Sequence, residues 1–265
     1  WRRLIVLLAG SFMNFLAGFL VAVILFSGSG YFSEPVLSGF MDGFPAEGEN
    51  GLMVGDRILT IDGQRVGIIT EVSMYLMRSD GTPDLVIRRD GEKIRLNDFP
   101  LRLREYETEN GVQTKYGLYF NTVKADFFET LKQAWYNSAY FVKLVRIGLT
   151  DLFTGGAGVK DLSGPVGVVA MINQVGSESG SFQNGLRNVA YMCAFIAVNL
   201  AVMNLLPIPA LDGGRIFLML VTLVIEKVFR RKVNPKIEGY VHAAGYVLLL
   251  GLMAFVMLND IIKLI

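Results

Sequence analysis

Apolar and polar residues alternate in large blocks along this chain. Leu4–Phe26 runs 23 residues without a charge, enough to cross the ~30 Å hydrocarbon core of a bilayer. A secretory signal also begins on basic residues, but its apolar region covers only about 7–15 residues and ends at a small-residue cleavage site, which does not follow here. Val189–Leu206 is a second uncharged run, Ile216–Ile225 a third, and Val241–Leu258 a fourth, interrupted only by His242. Ten helical residues rise only ~15 Å. Ile216–Ile225 therefore reads as the continuation of a span broken after Leu206.

The block from Tyr31 to Val123 has a soluble pattern. Gly51–Val66 (GLMVGDRILTIDGQRV) holds a strand followed by an Asp62-Gly63 turn, and TPDLVIRRDGEKIRLND holds two strands joined at Asp90-Gly91, a strong hairpin signal. Thr70–Met77 reads as a short helix with Thr70 as N-cap. Strand, turn, helix and hairpin together predict a small α+β domain. Asp126–Thr150 repeats apolar residues at steps of three and four, which predicts a long amphipathic helix. Asp126 and Glu129 have the spacing of a capping box. Lys132, Lys143 and Arg146 favour an interfacial helix over a free-standing span. Residues 154–168 (TGGAGVKDLSGPVGV) read as a loop.

Composition agrees with a membrane protein. The 265 residues are 52% hydrophobic and 18% charged, with mean hydropathy +0.44. A net charge of +1 carries no message by itself, and no nucleic acid is expected as a partner. Charge placement says more. Arg2 and Arg3 precede the first run, and Lys227, Arg230, Arg231 and Lys232 follow the third. Basic clusters stay on the cytoplasmic side. A first span in-to-out, an outside domain, a broken span out-to-in and a final span in-to-out put both clusters inside. The single cysteine, Cys193, permits no intrachain disulfide. The chain opens on Trp1 and reads as a piece of a longer protein, cut before an apolar helix.

The most apolar region contains Asn204–Gly214, NLLPIPALDGG. Pro207 and Pro209 each remove a backbone donor and stop a helix. Non-helical backbone at membrane depth is tolerated only where protein or a wet cavity covers it. Asp212 lies 15 residues before Lys227, or ~22 Å of helix, so it is expected within the bilayer. A carboxylate there needs a positive partner. An ion pair with Arg215 or a helix-capping role is one answer, and a bound metal or transported ion is the other. Asn14 and Asn204 either bond neighbouring helices and freed backbone groups or support the site. His242, the only imidazole, tempts a ligand reading, but near the end of the last span an interfacial histidine is the ordinary one.

NLLPIPALDGG resembles the N-x-x-P-x-P-x-L-D-G signature of the site-2 protease family of intramembrane zinc metalloproteases. Ala9–Gly18 (AGSFMNFLAG) resembles its A-G-P-x-x-N-F-x-x-A segment, with Ser11 in place of the usual proline. SGPVGV, EGYVHAAGYVLLL and the closing NDIIKL are similar to further segments of its bacterial branch, and PAEGENGLMVGDRILTIDGQRV to the start of a PDZ domain. The resemblance implies an α-helical multi-pass protein of the inner (plasma) membrane with an inserted, extracytoplasmic α+β PDZ-like domain. Its divisions fall at 1–30 (span), 31–123 (PDZ-like), 124–184 (amphipathic helix and loop) and 185–265 (broken LDGG helix and final span). It implies zinc as cofactor, Asp212 as one metal ligand, and Asn14, Asn204, Pro207, Pro209 and Gly213 as substrate-binding or supporting residues. The family's H-E-x-x-H, with two histidine ligands and a glutamate general base, does not occur in this chain. It is expected upstream of Trp1, so this chain alone is expected to be inactive. The implied substrates are single-pass membrane proteins such as anti-sigma factors, with the lipid bilayer as the other partner. The alternatives are a non-catalytic membrane scaffold whose PDZ-like domain binds peptides, and an ion transporter.

Overall fold

The structure is a computed structural model and describes residues 2–108, 111–156, 167–169, 172, 174, 181–229 and 235–264. In chain order the elements are α1 (Arg2–Ser27), β1 (Tyr31–Phe40), β2 (Arg57–Ile61), β3 (Gln64–Arg65), α2 (Ile69–Arg78), β4 (Leu85–Arg89) and β5 (Glu92–Leu96). After these come β6 (Arg104–Thr108), β7 (Gly111–Lys115), β8 (Leu118–Lys124), α3 (Phe127–Thr154), α4 (Phe182–Asn204), α5 (Asp212–Phe229) and α6 (Pro235–Leu264). Two compact units result: Ser27–Tyr136, and Trp1–Phe26 together with Asn137–Ile265.

The first unit is built on an antiparallel sheet in the order β5-β4-β2-β1-β8, with β3 paired to β2 and β6-β7 as a separate hairpin. Asp62-Gly63 and Asp90-Gly91 all have positive φ, as two-residue hairpin turns require. Pro35 sits where the β1–β8 register shifts, a place where its missing donor costs no ladder bond. Leu37, Ile58, Ile61, Leu85 and Ile87 are buried from the strands, and Val72, Tyr75 and Leu76 from α2. That helix starts one residue before Thr70, with Ile68 as N-cap. An isoleucine side chain cannot accept a hydrogen bond. The buried Glu71 carboxylate takes over the cap by accepting the Gly67 N–H at 2.5 Å and the Ile68 N–H at 3.4 Å.

The sheet unit also buries a charge pair. Asp56 is fully buried and receives Arg89 through Nε at 2.8 Å and Nη2 at 2.7 Å, while its Oδ2 also accepts the Met53 N–H at 2.7 Å. The same guanidinium donates to the carbonyls of Glu49 and Gly51. One fork thereby ties β4 to the loop before β2, with the bidentate geometry that favours arginine over lysine. The opening turns of α3 belong to this unit. The Asp126 carboxylate accepts the Glu129 N–H at 2.7 Å, as the capping spacing predicts. The Glu129 side chain turns to Lys132 instead of closing the box, and Lys132 also reaches Glu34 of β1.

In the helical unit, α1, α4 and α6 contain Leu4–Ser27, Phe182–Asn204 and Gly239–Ile262, each long and apolar enough to cross a membrane, with mean hydropathies of 2.3, 1.6 and 2.1. The α1 and α4 helices pack through small residues. A methyl group placed on Gly18 would stand 2.8 Å from the Val198 side chain and 2.9 Å from the Ala194 carbonyl oxygen, so glycine sets the approach. Ala194, Val198 and Ala201 form the buried stripe of α4, while Ile5, Val6, Phe12, Met13 and Ile24 of α1 face outward. On α3, Phe141 meets Tyr191 and Phe195 of α4 edge-on, with centroids 5.2 and 5.4 Å away. The expected loop over residues 154–168 is corrected at its end, because Gly167-Val168-Val169 is helical; residues 157–166 lie outside the described residues.

Replacing Asp56 by Ala leaves the Arg89 guanidinium and the Met53 N–H without their carboxylate. Breaking a buried pair on one side costs about 3–5 kcal/mol. In the full chain, hydrogen exchange of the β2 and β4 amides should accelerate accordingly. An unchanged exchange profile would show that the pair is dispensable.

Candidate functional site

The two prolines do stop the helix. α4 ends at Asn204, α5 begins at Asp212, and Leu205–Leu211 between them is not α-helical. The break therefore separates two helices, and α4 is by itself long enough to cross a bilayer. Every N–H in the break has a partner. Leu205 and Leu206 donate to the carbonyls of Val202 and Met203, Ile208 to Leu206 and Leu211 to Ile208, at 2.7–3.1 Å. Pro207 and Pro209 have no N–H. Ala210, at φ +83°, donates to Nδ1 of His242 on α6 at 3.2 Å. This complete accounting is what an apolar setting demands.

Glycines let the turn fold onto its neighbours. A methyl group on Gly213 would collide with the carbonyl oxygens of Leu205 and Leu206, and one on Gly214 with that of Ile208. Gly245 of α6 lies against Pro209, where any side chain would strike the ring and its carbonyl. The start of α5 is thus packed on its own preceding loop, with α6 against the other side of that loop.

Asp212 is the first residue of α5 and is partly buried. A negative charge there complements the helix dipole. Its carboxylate faces α1: a methyl group on Gly10 would stand 3.6 Å from Oδ2. Among the described residues no ion pair joins Asp212 to Arg215, whose side chain is exposed, and no side chain or backbone N–H donates to the carboxylate. The ion-pair reading is therefore set aside, and the oxygen lone pairs remain available.

The other sequence-predicted residues are placed more loosely. Asn14 lies one helical turn beyond Gly10, on the same face of α1, and Asn204 closes α4. No hydrogen bond joins either to Asp212. Pro207 is exposed, whereas Gly213 is buried. Among the described residues no three His, Cys, Asp or Glu side chains cluster to hold a metal. Catalytic zinc sites use three protein ligands and keep a fourth position open. The residues present thus fit one carboxylate ligand but do not form a zinc site by themselves.

Sequence reasoning missed two residues. Gly245 carries no signal apart from being a glycine in an apolar helix. Asp260 stands within the apolar stretch Gly239–Ile262, is buried, and accepts the Gly167 N–H through Oδ2 at 2.8 Å. The signal was available: an acidic residue in an apolar helix is expensive and needs a partner. The pairing joins NDIIKL to SGPVGV, two stretches read separately in the sequence.

The model of peptidase family M50 matches residues 1–252. A Fusobacterium nucleatum protein named for zinc metalloprotease activity is 32% identical over 270 residues, which cover all of this chain and 75% of the relative. The zinc metalloprotease RasP of Bacillus licheniformis is 33% identical over 267 residues, and the regulator of sigma-W protease RasP of Bacillus subtilis 32% over 269. In both, the match covers 100% of this chain and 60% of the relative.

Replacing Gly245 by Val should push Pro209 away and loosen the turn. Overpacking of this kind costs about 1–3 kcal/mol. Amide exchange at residues 210–212 should rise in G245V. It should stay unchanged in G251V, since a side chain at Gly251 meets nothing within 4 Å.

Proposed function

This chain belongs to peptidase family M50, and from that premise we propose that it forms the Asp212 side of an intramembrane zinc protease. Zinc is the metal of this family. The observation that carries the proposal is the Asp212 carboxylate, held at a helix start behind a double-proline break, facing Gly10, and accepting no hydrogen bond from any described residue. A structural carboxylate at such depth would be paired, whereas a ligand keeps its lone pairs for the metal.

When bound, zinc would polarise the substrate carbonyl and lower the pKa of a bound water toward ~7. The part of this chain is to hold one ligand, shape the cavity and present backbone to the substrate. Two further ligands and a general base are required, and a chain with one histidine does not supply them. We assign them to an H-E-x-x-H helix beyond these 265 residues. Substrates in this reading are single-pass membrane proteins, anti-sigma factors among them, cut within the inner membrane.

The sheet unit is read as a PDZ-like domain outside the cytoplasm. Supporting this are its antiparallel sheet, the helix α2 beside β1 and β2, and the position of β8 at the end of the strand order among the described residues, an edge to which an extended peptide adds as a strand. That terminal strand also favours a second reading, a non-catalytic scaffold that captures peptides. The orientation rests on the two basic clusters.

Asp212→Asn should accumulate normally in membranes, because no ion pair is broken, and should abolish cleavage of a membrane substrate by the completed enzyme. Loss of the protein itself would instead indicate a structural charge. The 265-residue chain alone should bind no stoichiometric zinc, and an added H-E-x-x-H helix should bring zinc and chelator-sensitive cleavage together. Zinc and cleavage from the chain alone would refute the assignment. For orientation, an impermeant thiol reagent applied to intact cells should label D62C and spare R231C in a C193S background. The reverse pattern would invert the topology.

A further inference from the structure

His242 is the single imidazole of the chain, and its position excludes the metal-ligand role that a lone imidazole tempts. Its Nδ1 accepts the Ala210 N–H at 3.2 Å. A nitrogen that accepts a hydrogen bond holds its lone pair toward the donor, so in the neutral ring the proton resides on Nε2. Nε2 is buried and meets no hydrogen-bond partner. A protonated ring nitrogen has no lone pair for a metal. Both nitrogens are therefore committed, one as acceptor and one as N–H, and neither is a ligand atom.

The Ala210 N–H is the one donor in the break that no local carbonyl satisfies. Ala210 also carries the only positive φ of a non-glycine residue among the described residues of the helical unit. A Cβ-bearing residue in that conformation is strained and stays there only when its surroundings hold it. Two groups on one face of α6 do so. His242 holds the Ala210 N–H, and Gly245, three residues on, admits Pro209. Asp212 follows Ala210 by two residues, so the direction of its carboxylate depends on this grip.

We propose that His242 is a positioning residue: its neutral, Nε2-protonated imidazole clamps Ala210 and thereby aims the Asp212 carboxylate. The consequence for Asp212 rests on the proposed function, but the clamp does not. Asn is the conservative replacement, since its side-chain oxygen takes the place of Nδ1 as acceptor. Phe keeps a ring of similar size and accepts nothing.

The full chain, labelled with ¹⁵N-histidine and reconstituted in lipid nanodiscs, gives one imidazole spectrum without any substitution. The expected spectrum is that of the Nε2–H tautomer with a hydrogen-bonded Nδ1, and an Nδ1–H tautomer overturns the proposal. Hydrogen exchange at residues 210–212 should accelerate in H242F and remain slow in H242N. Equal protection in both variants, or equal loss, also overturns it. If H242F fails to accumulate, the tautomer in the unsubstituted chain decides. In the enzyme completed with an H-E-x-x-H helix, H242F should lower kcat about tenfold or more with little change in KM, as a displaced group does, and H242N should restore most of it. A completed enzyme that cleaves nothing counts against the proposed function alone, because tautomer and exchange are read without zinc or substrate.

Discussion

An apolar environment offers backbone groups no water, and this constraint shapes the helical unit around residues 205–211. Two prolines end one helix, and the chain must satisfy every remaining N–H before the next begins. Local carbonyls take four of them and a side chain from α6 takes the fifth. Once that last bond requires α6 at close range, Gly245 becomes necessary, because nothing larger fits beside Pro209. Gly213 and Gly214 become necessary for the same reason on the other side, where the new helix starts in contact with the carbonyls it has just left. The turn is thus a small packed object in which few substitutions are neutral.

That packing leaves a carboxylate open. Among the described residues Asp212 has neither a hydrogen bond to its carboxylate nor a counter-ion, and it stands opposite a residue of α1 that has no side chain. A protein that satisfies five backbone donors across a difficult break does not lack the means to pair a carboxylate. Leaving it open is intelligible if the partner is a cation shared with other ligands, the reading that membership of peptidase family M50 supports.

The sheet unit solves a different problem. Water reaches much of its surface, so its strands alternate, and turns with positive φ close its hairpins. Its one costly feature is the buried Asp56–Arg89 pair, which organises the loop before β2 through three backbone groups, the Met53 N–H and the carbonyls of Glu49 and Gly51. Among the described residues no strand pairs with the outer side of β8, an edge of the kind that natural sheets normally protect unless another chain is to pair with it.

The sequence alone determined what depends on short-range chemistry. The apolar runs marked the helices able to cross a membrane, Asp-Gly pairs marked the hairpins, Asp126 marked the start of α3, and the prolines marked the break with Asp212 beside it. Each of these follows from local preference or from the burial that composition enforces. The N-cap of α2 was misread at Thr70 because a carboxylate three residues inside the helix, Glu71, substitutes for a capping hydroxyl, which propensity cannot reveal. Only the tertiary structure decided which partner each polar group takes. It separated Asp212 from Arg215, three residues away in sequence, and turned it to Gly10, some two hundred residues away. It gave His242 to Ala210 and Asp260 to Gly167. Hydrogen bonds reach about 3 Å, and no pattern along one helix tells which residue of another will stand within that distance.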